Sequence, residues 1–166
     1  MAINILISED DFVGKWELAK SNDDKIDEYI QEYEEQYLIE LLGKELYDLF
    51  KADLTAGVPG TQIYKDIFDP FSIKISQAVI ITSKGMKKML TGLIYFQYVK
   101  DNKTKQSMNG AVTQQTEVST PSDNTFLYQR YNDAVRTYQA IQTYIIQNIA
   151  IYPTFAGVVK KKTSFI

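Results

Sequence analysis

SDNTFLYQRYNDAVRTYQAIQTYIIQNIAIYP, residues 122–153, is the stretch whose reading decides the fold. Its apolar residues Leu127, Tyr131, Ala134, Tyr138, Ile141, Ile145 and Ile149 step by three and four, which gathers them on one face of a long helix. Pro121-Ser122 opens the helix, and Pro153, which cannot continue it, stops it. Such a seam needs a core to face. Ile141 and Ile145 are therefore expected inside, and Gln142 on the outer surface, where its truncation would be nearly silent.

Two further helical periods supply the partners. Ile26, Tyr29, Ile30, Tyr33, Tyr37, Leu38, Leu41 and Leu42 form one stripe after a start signal at Ser21-Asn22. Gly43 either ends that helix, with Lys44 to Phe50 starting another at a new angle, or is run through. Met86, Met89, Leu90, Leu93, Ile94 and Gln97 repeat the period, and Tyr95, Phe96 and Tyr98 make the segment apolar nearly all round, as suits a central helix. Between these lie a turn at Gly57-Val58-Pro59-Gly60, a short helix from Gln62 to Phe68, a break at Asp69-Pro70 and a strand-like alternation at Phe71, Ile73 and Ile75. The run Ala78 to Ile81 is ambiguous. At the N-terminus Ser8 and Asp11 have the form of a capping box, with Phe12, Val13 and Trp16 sharing a short amphipathic helix.

The fold class is thus mainly α: a compact helical bundle, residues 1–153, with a protruding polar arm or β-hairpin at 101–122 and an extended C-terminal tail at 154–166. Asn109-Gly110 in the arm suits a two-residue hairpin turn. The tail sets Phe155, Val158, Val159, Phe165 and Ile166 beside Lys160-Lys161-Lys162 without a cap or a period. It is too apolar for water and too short to fold alone, so it is expected to become ordered only against a partner, with its lysines at the rim.

The chemistry is narrow. With 166 residues the chain buries roughly 70% of its unfolded surface as one domain. Neither cysteine nor histidine occurs, which removes disulfides, thiolate zinc sites, cysteine nucleophiles, Ser-His-Asp arrangements and the commonest metal ligand. Gly43-Lys44 is no phosphate loop, because Leu38 stands where the first glycine would be and Glu45 where Ser or Thr would be. Asp24, Glu28, Glu32 and Glu35 follow helical spacing opposite the tyrosines and read as a solvated face rather than a metal site. No catalytic residue, cofactor or metal is assigned, and the chain is read as no enzyme. A net charge of −3 argues against a surface built wholly for nucleic acid. Met1 to Ile7 is too short for a membrane span and no membrane is expected. Lys84, Lys87 and Lys88 sit where a helix dipole disfavours cations; they are either solvated or face an acidic surface, such as Asp23 to Glu35 of a neighbouring copy.

In order along the chain, Leu6 to Phe12, Ile26 to Ile30, Leu41 to Phe50, Ser83 to Leu90, Ile94 to Tyr98 and the arm with Asn109-Gly110 resemble the head-tail connector, or adaptor, proteins of tailed bacteriophages, in the form met in phages and prophages of Bacteroides-type bacteria. The resemblance implies a structural virion protein, made in the host cytoplasm, that forms a dodecameric homo-oligomeric ring beneath the portal protein at the head-tail interface. The ring extends the DNA channel without sequence-specific binding and docks the next tail or connector protein. It also implies that arm and tail reach into neighbours, which marks Asn109, Gly110, Val112, Val118, Phe155, Val158, Lys160, Lys161, Lys162, Phe165 and Ile166 as protein-contact residues. The lysine run and Phe165-Ile166 depart from the family pattern. The other readings are a helical regulatory or adaptor module that binds a host protein, and a carboxylate-dependent hydrolase.

Overall fold

The computed structural model describes residues 5–18, 25–107, 110–113 and 122–162, with side chains of 102–107, 110–113 and 122–124 left aside. Five helices dominate: α1 (Lys25–Leu42), α2 (Lys44–Asp53), α3 (Gln62–Phe68), α4 (Met86–Lys103) and α5 (Ser122–Gln147). Three two-stranded antiparallel pairs decorate them: β1 (Leu54–Thr55) with β2 (Val58–Pro59), β3 (Phe71–Lys74) with β4 (Ile80–Ser83), and β5 (Thr104–Ser107) with β6 (Gly110–Thr113).

The expected central helix is α4. Met86, Met89, Leu90, Leu93 and Ile94 are sealed from solvent, and α5, α1 and α3 all pack on it. At its crossing with α5 a Cβ built on Gly92 would stand 2.8 Å from the Cβ of Ala134, so two small residues let these backbones approach. Tyr29 of α1 meets Tyr98 of α4 edge to face, ring centres 5.3 Å apart, so the start of α1 lies beside the end of α4. From α1 the core takes Ile26, Ile30, Tyr37, Leu38, Leu41 and Leu42, as the period predicts.

Gly43 ends α1 at φ 83°, a left-handed value that favours glycine, and α2 sets off at a new angle. The ambiguous run resolves into β4, whose Ile81 pairs with Ile73, while β3 ends at Lys74 and leaves Ile75 outside it.

Four local expectations need correction. Phe12, Val13 and Trp16 do not share a helix: two 3-10 turns, Glu9–Asp11 and Gly14–Trp16, flank Val13, which is exposed while Phe12 is buried. Gly14 at φ 64° interrupts them, although the Ser8 amide does donate to Asp11 at 2.9 Å. The turn read at Gly57 to Gly60 falls on Ala56 and Gly57, both at positive φ, and Val58 and Pro59 pair back with Thr55 and Leu54. Finally α5 stops at Gln147, ahead of Pro153, in a turn where the Asn148 carbonyl accepts from the Ile151 amide at 2.8 Å; Ile149 lies beyond the seam and is exposed. The fourth correction concerns the tail, and it shapes the molecule's outer face.

Candidate functional site

A helix that ends leaves its last carbonyls without amide partners. At the end of α1 these belong to Glu40, Leu41 and Leu42, and α5 together with the chain that follows it supplies them. The Val158 amide donates to the Glu40 carbonyl at 2.6 Å and the Ala156 amide to Leu42 at 3.1 Å. The Gln142 side-chain amide donates at 3.1 Å both to the Leu41 carbonyl and to that of Val158. Tyr138 Oη donates to the Val158 carbonyl at 2.6 Å, and Gln139 to the Lys160 carbonyl at 2.9 Å. Lys160 Nζ closes the strap on Glu40 at 2.8 Å, above the Tyr37 ring. Burial alone would push the Glu40 carboxyl up, but the Lys160 and Gln36 hydrogen bonds outweigh it and hold it below its ordinary value.

The tail expected to await a partner is therefore, through residue 162, a strap across its own bundle. The approach is close enough to exclude a side chain at 157: a Cβ there would run into the Leu41 carbonyl oxygen, and one at Gly43 would stand 2.8 Å from the Ala156 nitrogen. Upstream, Tyr152 is buried and donates to the Ile63 carbonyl at 2.6 Å, which fixes the point where the chain turns back.

The strap turns outward the apolar Val158 and Val159 and, after them, Lys161 and Lys162. Beside it, β4 and α5 leave a groove of about 670 Å³ lined by Ile80, Ile81, Ile146 and Val159, with Arg136 and Lys162 among its polar residues. Ile80 is 68%, Ile146 59% and Val159 72% exposed, and Val158 adds another exposed side chain. Close by, Asp133 receives Arg136 at 2.7 Å, Lys15 at 3.2 Å and Lys84 at 3.5 Å. Burial works upward on Asp133, but these cations hold its carboxyl below the usual range. Asp133 thus answers Lys84 within the chain, while Lys87 and Lys88 share a recess with Asp10 and Asp11.

A second cleft, about 810 Å³, lies between the N-terminal segment, α1 and the β1–β2 turn, and holds Glu34. This carboxylate is 2% exposed, yet three backbone amides reach it: Ile5 at 2.5 Å, Leu6 at 2.7 Å and Ile7 at 2.9 Å. Burial raises its pKa and the three amides pull it back part of the way. With its oxygens occupied, Glu34 clamps the N-terminal segment to α1. Glu28, Glu32 and Glu35 lie on the exposed face as expected, and Glu35 accepts hydrogen bonds from Tyr47 and Lys51. Among the described residues no three carboxylates gather as metal ligands, and no helix is long and apolar enough to cross a membrane.

The sequence-predicted contact residues fall into two separate places. Gly110 and Val112 lie on β6, paired with Ser107 and Lys105; Asn109 and Val118 lie outside the described residues. In the strap, Phe155 is half-buried against the core, Val158 is exposed with its backbone pinned, Lys160 is paired, and Lys161 and Lys162 are exposed. Phe165 and Ile166 lie outside the described residues. Sequence reading missed Glu34, Gln142, Ile80 and Ile146. The first two carried a signal: Glu34 is four residues from both Ile30 and Leu38, and Gln142 is four from Tyr138 and three from Ile145, so each sits on a buried stripe. No family model, curated protein or solved structure matches the chain.

Proposed function

We propose that this chain is a structural subunit of the head-tail connector ring of a tailed bacteriophage, seated beneath the portal, where it extends the DNA channel and gives the tail a docking surface. The observation that carries the reading is the outward apolar face: Ile80, Ile146, Val158 and Val159 stand more than half exposed on the adjoining β4, α5 and strap. A lone domain leaves such a face as an aggregation hazard, whereas an assembly subunit buries it. The connector-like segments support the same reading, since they coincide with the skeleton of the fold: the clamped N-terminal segment, α1, the Gly43 junction with α2, and α4. The partners are then further copies of the chain, the portal protein and the next tail or connector protein, with DNA passing through unread.

Electron microscopy of particles carrying a tagged copy of the chain tests this. The expected result is a ring of labelled density between portal and tail. Label over the capsid shell, or normally tailed infectious particles formed without the chain, would overturn it.

A further inference from the structure

We propose that the groove between β4, α5 and the strap receives the outward face of α2 from a second copy of this chain, in a head-to-tail contact. This names the self-contact within the proposed function and rests on its homo-oligomeric part.

The groove sets one half of the complementarity. Its exposed walls are Ile80, Ile146 and Val159, its charged lining residues are Arg136 and Lys162, and among the described residues no carboxylate lines it. Asp133 touches Arg136 but divides one negative charge among three cations, so the neighbourhood stays positive on a chain of net charge −3. A complementary occupant is apolar at its centre and acidic beside it.

The face of α2 has that chemistry. Glu45, Asp48, Leu49 and Ala52 recur at i, i+3, i+4 and i+7, form one stripe and are all exposed, Leu49 by 50%. The opposite stripe, Leu46, Tyr47 and Phe50, is buried, so the helix is fixed with Leu49 outward. Lys44 bonds Asp48 along the helix, whereas Glu45 has no ion-pair partner among the described residues. The acidic stripe of α1 is the poorer candidate: none of its large apolar residues is exposed, and Glu35 is already held by Tyr47 and Lys51. An amphipathic helix laid into an apolar groove is a recurrent recognition mode. No α2 residue lines the groove, so each copy carries two distinct surfaces; used head to tail and repeated, the contact closes a ring or extends a filament.

Sedimentation velocity with two variants tests the pairing. Leu49→Asp disables the helix face and Ile146→Asp the groove; both sites are exposed, and circular dichroism checks that each variant keeps its fold. The parent is expected to associate with rising concentration and each variant alone to stay monomeric. An equimolar mixture should give a species of two subunits and nothing larger, since only one intact helix face and one intact groove remain. Lys162→Glu should likewise weaken association, and Glu45→Lys in the same chain should restore it. A parent still monomeric at about 1 mM, where a contact with Kd near that value is already populated, would overturn the proposal. So would a mixture that behaves as its separate components. Particles distinguish the two readings: normal incorporation of both variants at the vertex sinks this contact and leaves the connector reading standing. The pairing pattern in solution, with the chain absent from the vertex, does the reverse.

Discussion

At Glu34 a carboxylate sits where the helical period calls for an aliphatic side chain, and three amide protons account for it. Removing the acceptor strands buried donors, so Glu34→Ala is expected to cost about 3 to 5 kcal/mol in urea denaturation; a loss below about 1 kcal/mol would show that the clamp is not needed. Its titration has a definite sign. A pKa raised on folding means that the native state binds the proton more readily than the unfolded chain, so this group's contribution is fully present below the ordinary glutamate range and is lost as pH rises through the raised value. Stability measured against the non-titrating Glu34→Gln should therefore fall with rising pH across that window, and a rising difference would contradict it. Gln142 is the other residue whose role is reversed by its surroundings. Its truncation strips the buried Leu41 carbonyl of its side-chain donor and leaves the Val158 carbonyl with Tyr138 alone, so Gln142→Ala should cost about 1 to 3 kcal/mol. Ile141→Ala and Ile145→Ala, both fully buried, should each cost about 2 to 5 kcal/mol.

The strap joins elements that are far apart in the chain: it completes the C-terminal cap of α1 with amides that come after α5. Deleting residues 154–166 is accordingly expected to lower the melting temperature by roughly 5 to 15 °C, in line with a loss of a few kcal/mol in a domain of this size. An unchanged melting curve would mean that α1 holds its end without help. Gly157→Ala tests the close approach more gently, because the added methyl must displace the strap from the Leu41 carbonyl; a cost of about 1 to 3 kcal/mol is expected. Acid should loosen the same element. The Glu40 carboxyl is held below its ordinary value, so its contribution is present above the unfolded pKa and is lost as pH falls through the lowered one. Hydrogen exchange at the Ala156 and Val158 amides, compared between neutral and acid pH after correction for intrinsic rates, should show protection disappearing on the acid side.

The core runs without interruption from the N-terminal Leu6, Ile7 and Phe12 through α1, α2, α3, α4 and α5 to Tyr152. The segment from residue 5 to residue 7 and the segment after α5 are both tied into it, one by Glu34 and the other through the strap. A molecule wired this way should unfold in one transition, with near- and far-ultraviolet circular dichroism coinciding. Two separated transitions would mean that the N-terminal clamp or the strap is an independent unit. At this scale the outer groove, with Ile80, Ile146 and Val159 exposed along it, is the apolar surface that the fold leaves uncovered.

The helices were legible in the sequence because helical order is local: the steps of three and four in α1, α4 and α5 reveal both the element and its buried stripe. Gly43 as a junction and Asp69-Pro70 as a break were legible for the same reason, since each acts through its own backbone. The partners of polar groups were not. Glu34 and Gln142 stand on buried stripes, but only the folded chain brings to them the amides of residues 5 to 7 and the carbonyls of Leu41 and Val158, 16 to 101 positions away. The composition of residues 154–162 spoke of an apolar segment needing a surface, and it could not say whose. The unfilled carbonyls at the end of α1 decided that, and they come within reach only after α5 has packed beside α1.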